Sequence, residues 1–473
     1  MTADPRHRTP SSRAGMPRPG LRRRTLLHWG AAAGGLAGAW PANGQGPAPD
    51  GPEPPRLALL IGNRDYPDGD DLPPIHKNVR DLRAVLEKRG FQVTDAVDLS
   101  LAQARQTLAQ FNARVRAAPA DATVFFYFSG HGAQVDAENI LISAGLSPRA
   151  RAEVLISGSM TLRQDVIGQL PVRPDGLTLT VLDACRTSLR PNAEGDGLNQ
   201  VEAPPGCLIA FATRAGRPAI APASDSINTF YTASLVKMLE TASDETPFQD
   251  LFRLVKADTY STMLNHPVPI LRRFAQESFI ADNARVRRRL APRRPDAPPP
   301  PPRPEEESVA WARLQALVWP ADVAREAQAY LARHPDSPLA GSAQVARDGA
   351  REAAAILRRN DVQLFRSAFQ RTSDLAPEVA DDLLKAGRGD KDAAARMGQR
   401  LAPPPGAARA MRTSQGRYEG WMQYAAGLGN GIASYRLALF YRETDQPQLA
   451  SQYEALARSL GYTPPPSLDN QRK

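Results

Sequence analysis

The sequence predicts an α/β fold: a mostly parallel sheet flanked by helices, followed by an all-α helical-repeat region. Two observations point to the sheet. Strand-length apolar runs alternate with amphipathic helical stripes from Arg56 onward, and several of those runs are rich in β-branched and aromatic residues. A third observation points to the helices, since residues 308–465 are rich in Ala and Leu and have little strand character.

The elements follow in order. Leu57 to Gly62 reads as a buried strand. Val79, Leu82, Val85 and Leu86 form a helical stripe that Gly90 terminates as a C-terminal cap. Gln92 to Val97 is a second strand, and Ser100 caps a helix with the stripe Ala104, Leu108, Phe111 and Val115. Thr123 to Phe128, Leu177 to Leu182 and Cys207 to Phe211 are further strands. In a parallel sheet built this way, reactive residues gather just beyond the carboxyl ends of the strands.

At 473 residues the chain is too long for one ordinary core, and roughly 150 residues per domain suggests two or three. A hydrophobic content of 42% with 23% charged residues excludes a wholly disordered chain. Two cysteines exclude a disulfide scaffold and a multi-Cys metal cluster. The net charge of +9 suggests nucleic acid at first, but residues 1–45 hold seven arginines against one aspartate, leaving about +3 for the rest. No basic stripe interleaved with aromatics is present, so no nucleic-acid partner is expected.

The basic excess reads as an address. Arg22-Arg23-Arg24-Thr25-Leu26-Leu27 precedes the weakly apolar run Gly30 to Trp40, which is too short for a typical membrane span. The order resembles a twin-arginine export signal over residues 1–44, with Ala37-Gly38-Ala39 as the best cleavage site. The expectation is a bacterial protein exported to the periplasm, with no stable membrane span once the signal is removed. Residues 45–55 are a Pro/Gly tether, and 56–284 the first folded domain. Residues 285–307, with seven arginines and five consecutive prolines at 298–302, read as a stiff, solvated linker.

The remainder, 308–473, carries an internal repeat. Ala386, Gly387, Gly389, Ala393, Met397, Gly398 and Leu401 recur 40 residues later as Ala426, Gly427, Gly429, Ala433, Leu437, Ala438 and Tyr441. Such a period, with small residues at helix crossings, predicts stacked helix pairs. The second copy resembles the Sel-type relatives of tetratricopeptide repeats, which implies a protein partner docking on this region.

Two strand ends carry reactive residue types. Phe125 to Phe128 leads into Ser129-Gly130-His131-Gly132, and Thr180 to Leu182 leads into Asp183-Ala184-Cys185-Arg186. A buried apolar Cys and a core His satisfied by hydrogen bonds are the ordinary readings of either residue alone. Both following parallel strands, they instead suggest a thiolate activated by a neighbouring imidazole.

These residues, with Leu60-Ile61-Gly62-Asn63 ahead of them, resemble the caspase-like cysteine peptidases, in particular the metacaspase and bacterial orthocaspase branch, over about residues 56–285. Phe211-Ala212-Thr213 and Phe230 to Leu235 fit that family's closing strand and helix. The resemblance implies Cys185 as nucleophile, His131 as proton carrier, and the N–H groups of Gly132 and Cys185 as the oxyanion hole. It also implies a primary specificity pocket containing Asp183, Ser129 and the position of Asn78, and hence cleavage after Arg or Lys. The last position is a departure, because many relatives have Asp where this chain has Asn78. Asp81, one turn on, is expected to face solvent, and His76 and His266 match no family role.

Some relatives require calcium, but no dense cluster of hard oxygen ligands is recognisable, and Asp68, Asp70 and Asp71 read first as a polar turn. No cofactor or metal is therefore expected, with calcium activation left as a question for assay. Cys207 reads as structural, although a disulfide with Cys185 would silence the enzyme. The function expected is a monomeric endopeptidase acting on polypeptides. The alternative is a catalytically silent signalling or scaffold protein that works through its helical repeats.

Overall fold

The computed structural model describes residues 53–135, 138–184, 187–188, 200–215, 219–292, 302–370, 372–404 and 412–462. The expected export signal, most of the tether, Cys185 and residues 293–301 of the expected linker lie outside the described residues. The described residues form one compact unit.

Its centre is a six-stranded sheet made of β1 (Arg56–Gly62), β2 (Phe91–Val97), β3 (Thr123–Gly130), β7 (Leu177–Ala184), β9 (Cys207–Phe211) and β10 (Phe279–Asp282), in the order β10-β9-β7-β3-β1-β2. All pairings are parallel except β10 with β9. Strand periodicity sends Leu57, Leu59, Ile61, Phe126 and Phe128 to one face, where Leu108 and Phe111 of α2 (Leu101–Ala117) cover them. Ala58, Leu60, Phe125 and Tyr127 point the other way. There they meet α1 (Ile75–Lys88), α4 (Phe230–Thr241) and α5 (Phe248–Leu264). Burial on both faces explains why these strands read as unbroken apolar runs rather than alternating ones. All the stripe residues expected of α1 and α2 are buried, and Ser100 with Gln103 closes the N-terminal capping box of α2.

A second, four-stranded sheet was not legible in the sequence. It consists of β4 (Gly132–Val135), β5 (Glu138–Leu141), β6 (Met160–Thr161) and β8 (Thr187–Ser188), in the order β6-β5-β4-β8. Strands of two to four residues are too short for periodicity to reveal them. The short helix α3 (Ala152–Gly158) packs Leu155 against Ala133 and Ile140 of this sheet, and the short helix α6 (Pro269–Arg273) lies against α5.

Among the described residues eight α-helices follow: α7 (Glu305–Ala316), α8 (Pro320–Arg333), α9 (Ala340–Leu357), α10 (Pro377–Ala386), α11 (Lys391–Gln399), α12 (Arg412–Gly427), α13 (Gly431–Glu443) and α14 (Pro447–Ser459). The 40-residue offset falls on two helix pairs, α10–α11 and α12–α13, joined by equivalent turns. Gly389 (φ +81°) and Gly429 (φ +94°) occupy the left-handed region that favours glycine. The next residues, Asp390 and Asn430, cap α11 and α13 by accepting the N–H of Ala393 and Ala433.

The helices are fastened to the sheet. Lys391 Nζ donates to the Ile280 carbonyl at 2.7 Å, Asp392 accepts the Asp282 N–H at 2.9 Å, and Arg396 donates to the Asp282 carbonyl at 3.0 Å. Side chains of α11 thus occupy the outer edge of β10. Arg253 of α5 lies between Asp282 and Asp390, at 3.3 and 2.8 Å.

The solvated linker expected from Arg285 does not hold for its first eight residues. Leu290 is fully buried, its N–H donates to the Thr246 carbonyl, and Phe248 N–H donates to the Arg288 carbonyl. Arg287 and Arg289 pair with Asp250 and Glu245. The buried Arg56 donates to the carbonyls of Arg289, Leu290 and Ala291. The cause is an acidic and carbonyl-rich receiving surface, which composition alone cannot reveal.

Candidate active site

The site begins with sheet register. Gly62, Ser129 and Asp183 end up side by side, and Gly130 pairs with Ala184. In the chain, His131 follows Gly130 directly and Cys185 follows Ala184 directly. Cys185 itself lies outside the described residues.

His131 is held from three sides. Its main-chain N–H donates to the Tyr66 hydroxyl at 3.1 Å, and the Tyr66 ring stands at 71° to the imidazole with centroids 4.6 Å apart. Nε2 lies 2.8 Å from the Asp70 carbonyl oxygen. A carbonyl only accepts, so Nε2 carries the hydrogen and, in the neutral ring, Nδ1 is left with the lone pair. Burial pushes the imidazole below its ordinary pKa, while the hydrogen bond to Asp70 opposes that shift.

Asp70 was read from sequence as part of a polar turn, and its carboxylate does pair with Arg149. Its carbonyl is what touches the imidazole, and no residue-type pattern encodes a carbonyl. Asp71 accepts the Tyr66 N–H at 2.7 Å. Among the described residues no group of three His, Cys, Asp or Glu side chains is arranged to hold a metal ion. Nearby, His76 pairs with Asp98 at 2.6 Å, and Asp98 accepts the N–H groups of Arg64 and Asp65, which braces the same loop.

Asp183, Ser129 and Asn78, the positions expected to line a specificity pocket, come together in a buried polar network. Thr232 donates to Asp183 Oδ2 at 2.6 Å and therefore accepts from the Tyr127 hydroxyl, also at 2.6 Å. The Thr229 hydroxyl donates to the same Asp183 oxygen. Asn78 Nδ2 donates to the Thr229 hydroxyl at 3.0 Å and to Ser129 Oγ at 3.3 Å, while its Oδ1 accepts the Thr229 N–H at 3.1 Å. Burial raises the Asp183 carboxyl above its usual range, against the two hydroxyl donors that favour the charged form. Asp183 also sits at the amino end of α4, whose N-cap is Thr229.

Thr229 and Thr232 were missed in the sequence, although a Thr directly ahead of the helical run Phe230 to Leu235 is an N-cap signal. Asp81 pairs with Lys77 one turn back at 2.6 Å.

Gly132 starts β4 opposite Leu141, and Ile142 N–H donates to the His131 carbonyl. Antiparallel alternation then makes Gly132 and Leu141 a non-hydrogen-bonded pair, so the Gly132 N–H lies on the side of β4 away from β5. Cys207 lies at the far end of the sheet, opposite Thr178 near the start of β7. At ~3.3 Å per strand residue it is about 20 Å from Ala184, well beyond disulfide reach of the next residue. The other half of the expected Cys185–Cys207 switch, Cys185, lies outside the described residues. Burial pushes the Cys207 thiol up to about 11, which leaves it inert.

Residues 55–280 match the family model of the caspase domain, a little under half of the chain. No curated protein matches the chain. The match covers every strand of the six-stranded sheet except the last two residues of β10, and it supports a cysteine-peptidase type of hydrolase at the family level.

Proposed function

Taking residues 55–280 as a caspase domain, we propose that the chain is a cysteine endopeptidase that cuts polypeptides after Arg or Lys, with a Cys185–His131 dyad. The observation that carries this reading is the register of β3 against β7, which pairs Gly130 with Ala184 immediately before the two reactive residues.

In the reaction, Cys185 passes its thiol proton to His131 Nδ1, and the thiolate attacks the scissile carbonyl carbon. The oxyanion is received by the N–H groups of Gly132 and Cys185, each donor contributing about 3 kcal/mol in comparable sites. Nδ1 then gives its proton to the departing amine as the C–N bond breaks. Water attacks the acyl-enzyme, loses a proton to Nδ1, and carboxylic acid and free thiol are regenerated. Throughout, Nε2–H stays on the Asp70 carbonyl, which fixes the tautomer that the exchange requires.

Asp183 supplies the negative charge of the specificity pocket, with Ser129 and Asn78 as neutral hydrogen-bonding walls. With a single carboxyl, already engaged by two threonines, the pocket favours a basic side chain by less than a two-carboxylate pocket does. Residues 1–44 direct export to the periplasm, and the stacked helix pairs, read as Sel-type repeats, dock a protein partner. The protein acts as a monomer.

An Arg-terminated peptide carrying an electrophilic ketone tests the nucleophile. The expected result is one adduct, on Cys185 by peptide mass mapping, absent from Cys185→Ala and strongly slowed in His131→Ala. An adduct on Cys207, or none on an otherwise folded protein, contradicts the reading.

A further inference from the structure

We infer that Tyr66 is a positioning residue for the reaction, holding His131 in the orientation and tautomer that the dyad needs. The inference rests on the reading of His131 as proton carrier, and it adds a residue that neither motif contains.

The geometry isolates Tyr66 from its neighbours. The side chain is 5% exposed, and its hydroxyl lies between two polar partners, donating to the Ile142 carbonyl at 3.2 Å and accepting the His131 N–H at 3.1 Å. Asn63 Nδ2 also donates to that carbonyl, at 3.0 Å, so Ile142 keeps a partner when the phenol is lost. The acceptor of the His131 N–H is the phenol itself. One aromatic side chain therefore fixes both the main chain and the ring of His131.

The approach is close enough to constrain the sequence. A Cβ added to Gly130 would lie 2.8 Å from the Tyr66 hydroxyl, so glycine at that position leaves room for the phenol. The same loop supplies the third restraint. Four residues beyond Tyr66 the Asp70 carbonyl takes Nε2–H, and the Asp71 carboxylate anchors the Tyr66 N–H. Among the described residues, the Asp70 carboxylate is the charged group that acts on the imidazole, and it raises the pKa together with the hydrogen bond to the Asp70 carbonyl. Burial outweighs both, and the Tyr66 ring packed on the imidazole is part of that burial.

The experiment compares Tyr66→Phe and Tyr66→Leu with the wild type in the full-length protein. Tyr66→Phe keeps the ring and removes the acceptor. Its kcat should fall roughly tenfold with KM within about twofold. Tyr66→Leu also frees the ring, and kcat should fall about a hundredfold. In a protein labelled with ¹⁵N at histidine, wild-type His131 should show the Nε2–H tautomer and a pKa below the ordinary histidine value. Tyr66→Leu should show mixed tautomers and a pKa moved up toward 6.5.

The inference is overturned if both variants keep wild-type kcat. It is equally overturned if both lower the melting temperature while the His131 tautomer and titration stay unchanged, because Tyr66 would then be packing alone. The nitrogen shifts need no turnover. Failure of the peptidase reading, seen as wild-type protein inactive on every peptide, leaves them able to decide the role of Tyr66.

Discussion

Asn78 spends both halves of its amide on Thr229, accepting the main-chain N–H at 3.1 Å and donating to the hydroxyl at 3.0 Å. That hydroxyl is thereby turned to donate to Asp183. An Asp at this position could keep only the first of these bonds, and would place a second carboxyl in the same buried network.

Asn78→Asp therefore has two expected effects. The new carboxyl is buried near Asp183, so its folded pKa lies above its unfolded value. The resulting cost is absent below about pH 4 and grows as pH rises, reaching about 2–3 kcal/mol at neutral pH. Denaturant unfolding at pH 7 and pH 4 checks the sign. In the variants that fold, preference for Arg over neutral residues should rise severalfold.

Asp183→Asn separates stability from function. The Asp183 carboxyl is raised by burial, so its charge costs stability above its unfolded pKa, and this cost disappears as pH falls below about 4. Replacing it with the isosteric amide should leave the melting temperature at pH 7 unchanged or higher. Hydrolysis of Arg- and Lys-terminated peptides should drop roughly a hundredfold. Unchanged cleavage after Arg would remove Asp183 from the specificity pocket.

The parallel sheet was legible in the sequence because β1, β3, β7 and β9 are buried on both faces, and such burial leaves long apolar runs. The strand ends were legible because Gly-His-Gly and Asp-Ala-Cys interrupt those runs. The clamp on His131 was not, since it consists of a carbonyl (Asp70) and a tyrosine from a loop. The strap at residues 285–292 was misread for a similar reason. The four arginines of that strap look solvated until the acceptors waiting for them, Glu245 and Asp250 among others, are known from tertiary structure.

Gln200 joins the sheet region to the helices. Its main-chain N–H donates to the Gly461 carbonyl at 2.9 Å, and its buried amide meets the Gly429 carbonyl, the Leu460 carbonyl and the Gly431 N–H at 3.1, 2.8 and 2.8 Å. Gln200→Ala leaves three main-chain groups without these partners and should cost about 2–4 kcal/mol. Thermal unfolding should change from one transition to two, because the helices lose a principal tie to the sheet. A single transition at the wild-type temperature would count against this coupling.

The outer edge of β10 is covered by Lys391, Asp392 and Arg396, with donors and an acceptor matched to its carbonyls and N–H. An uncovered edge is a template for pairing with another chain. The double substitution Lys391→Ala, Asp392→Ala should produce more concentration-dependent self-association in sedimentation velocity than the wild type shows. A variant that stays monomeric at high concentration would show that the edge needs no such cover.

The central claim is a dyad of Cys185 and His131 acting behind a pocket built on Asp183. It is tested most directly by hydrolysis of matched fluorogenic peptides ending in Arg, Lys or Asp, with reductant and with or without calcium. Wild-type protein should cleave after Arg and Lys and leave the Asp peptide intact. Cys185→Ala and His131→Ala should each lose at least about a thousandfold in kcat/KM. Cleavage that survives in Cys185→Ala, or a folded wild type that cuts none of the three peptides with or without calcium, would contradict the account.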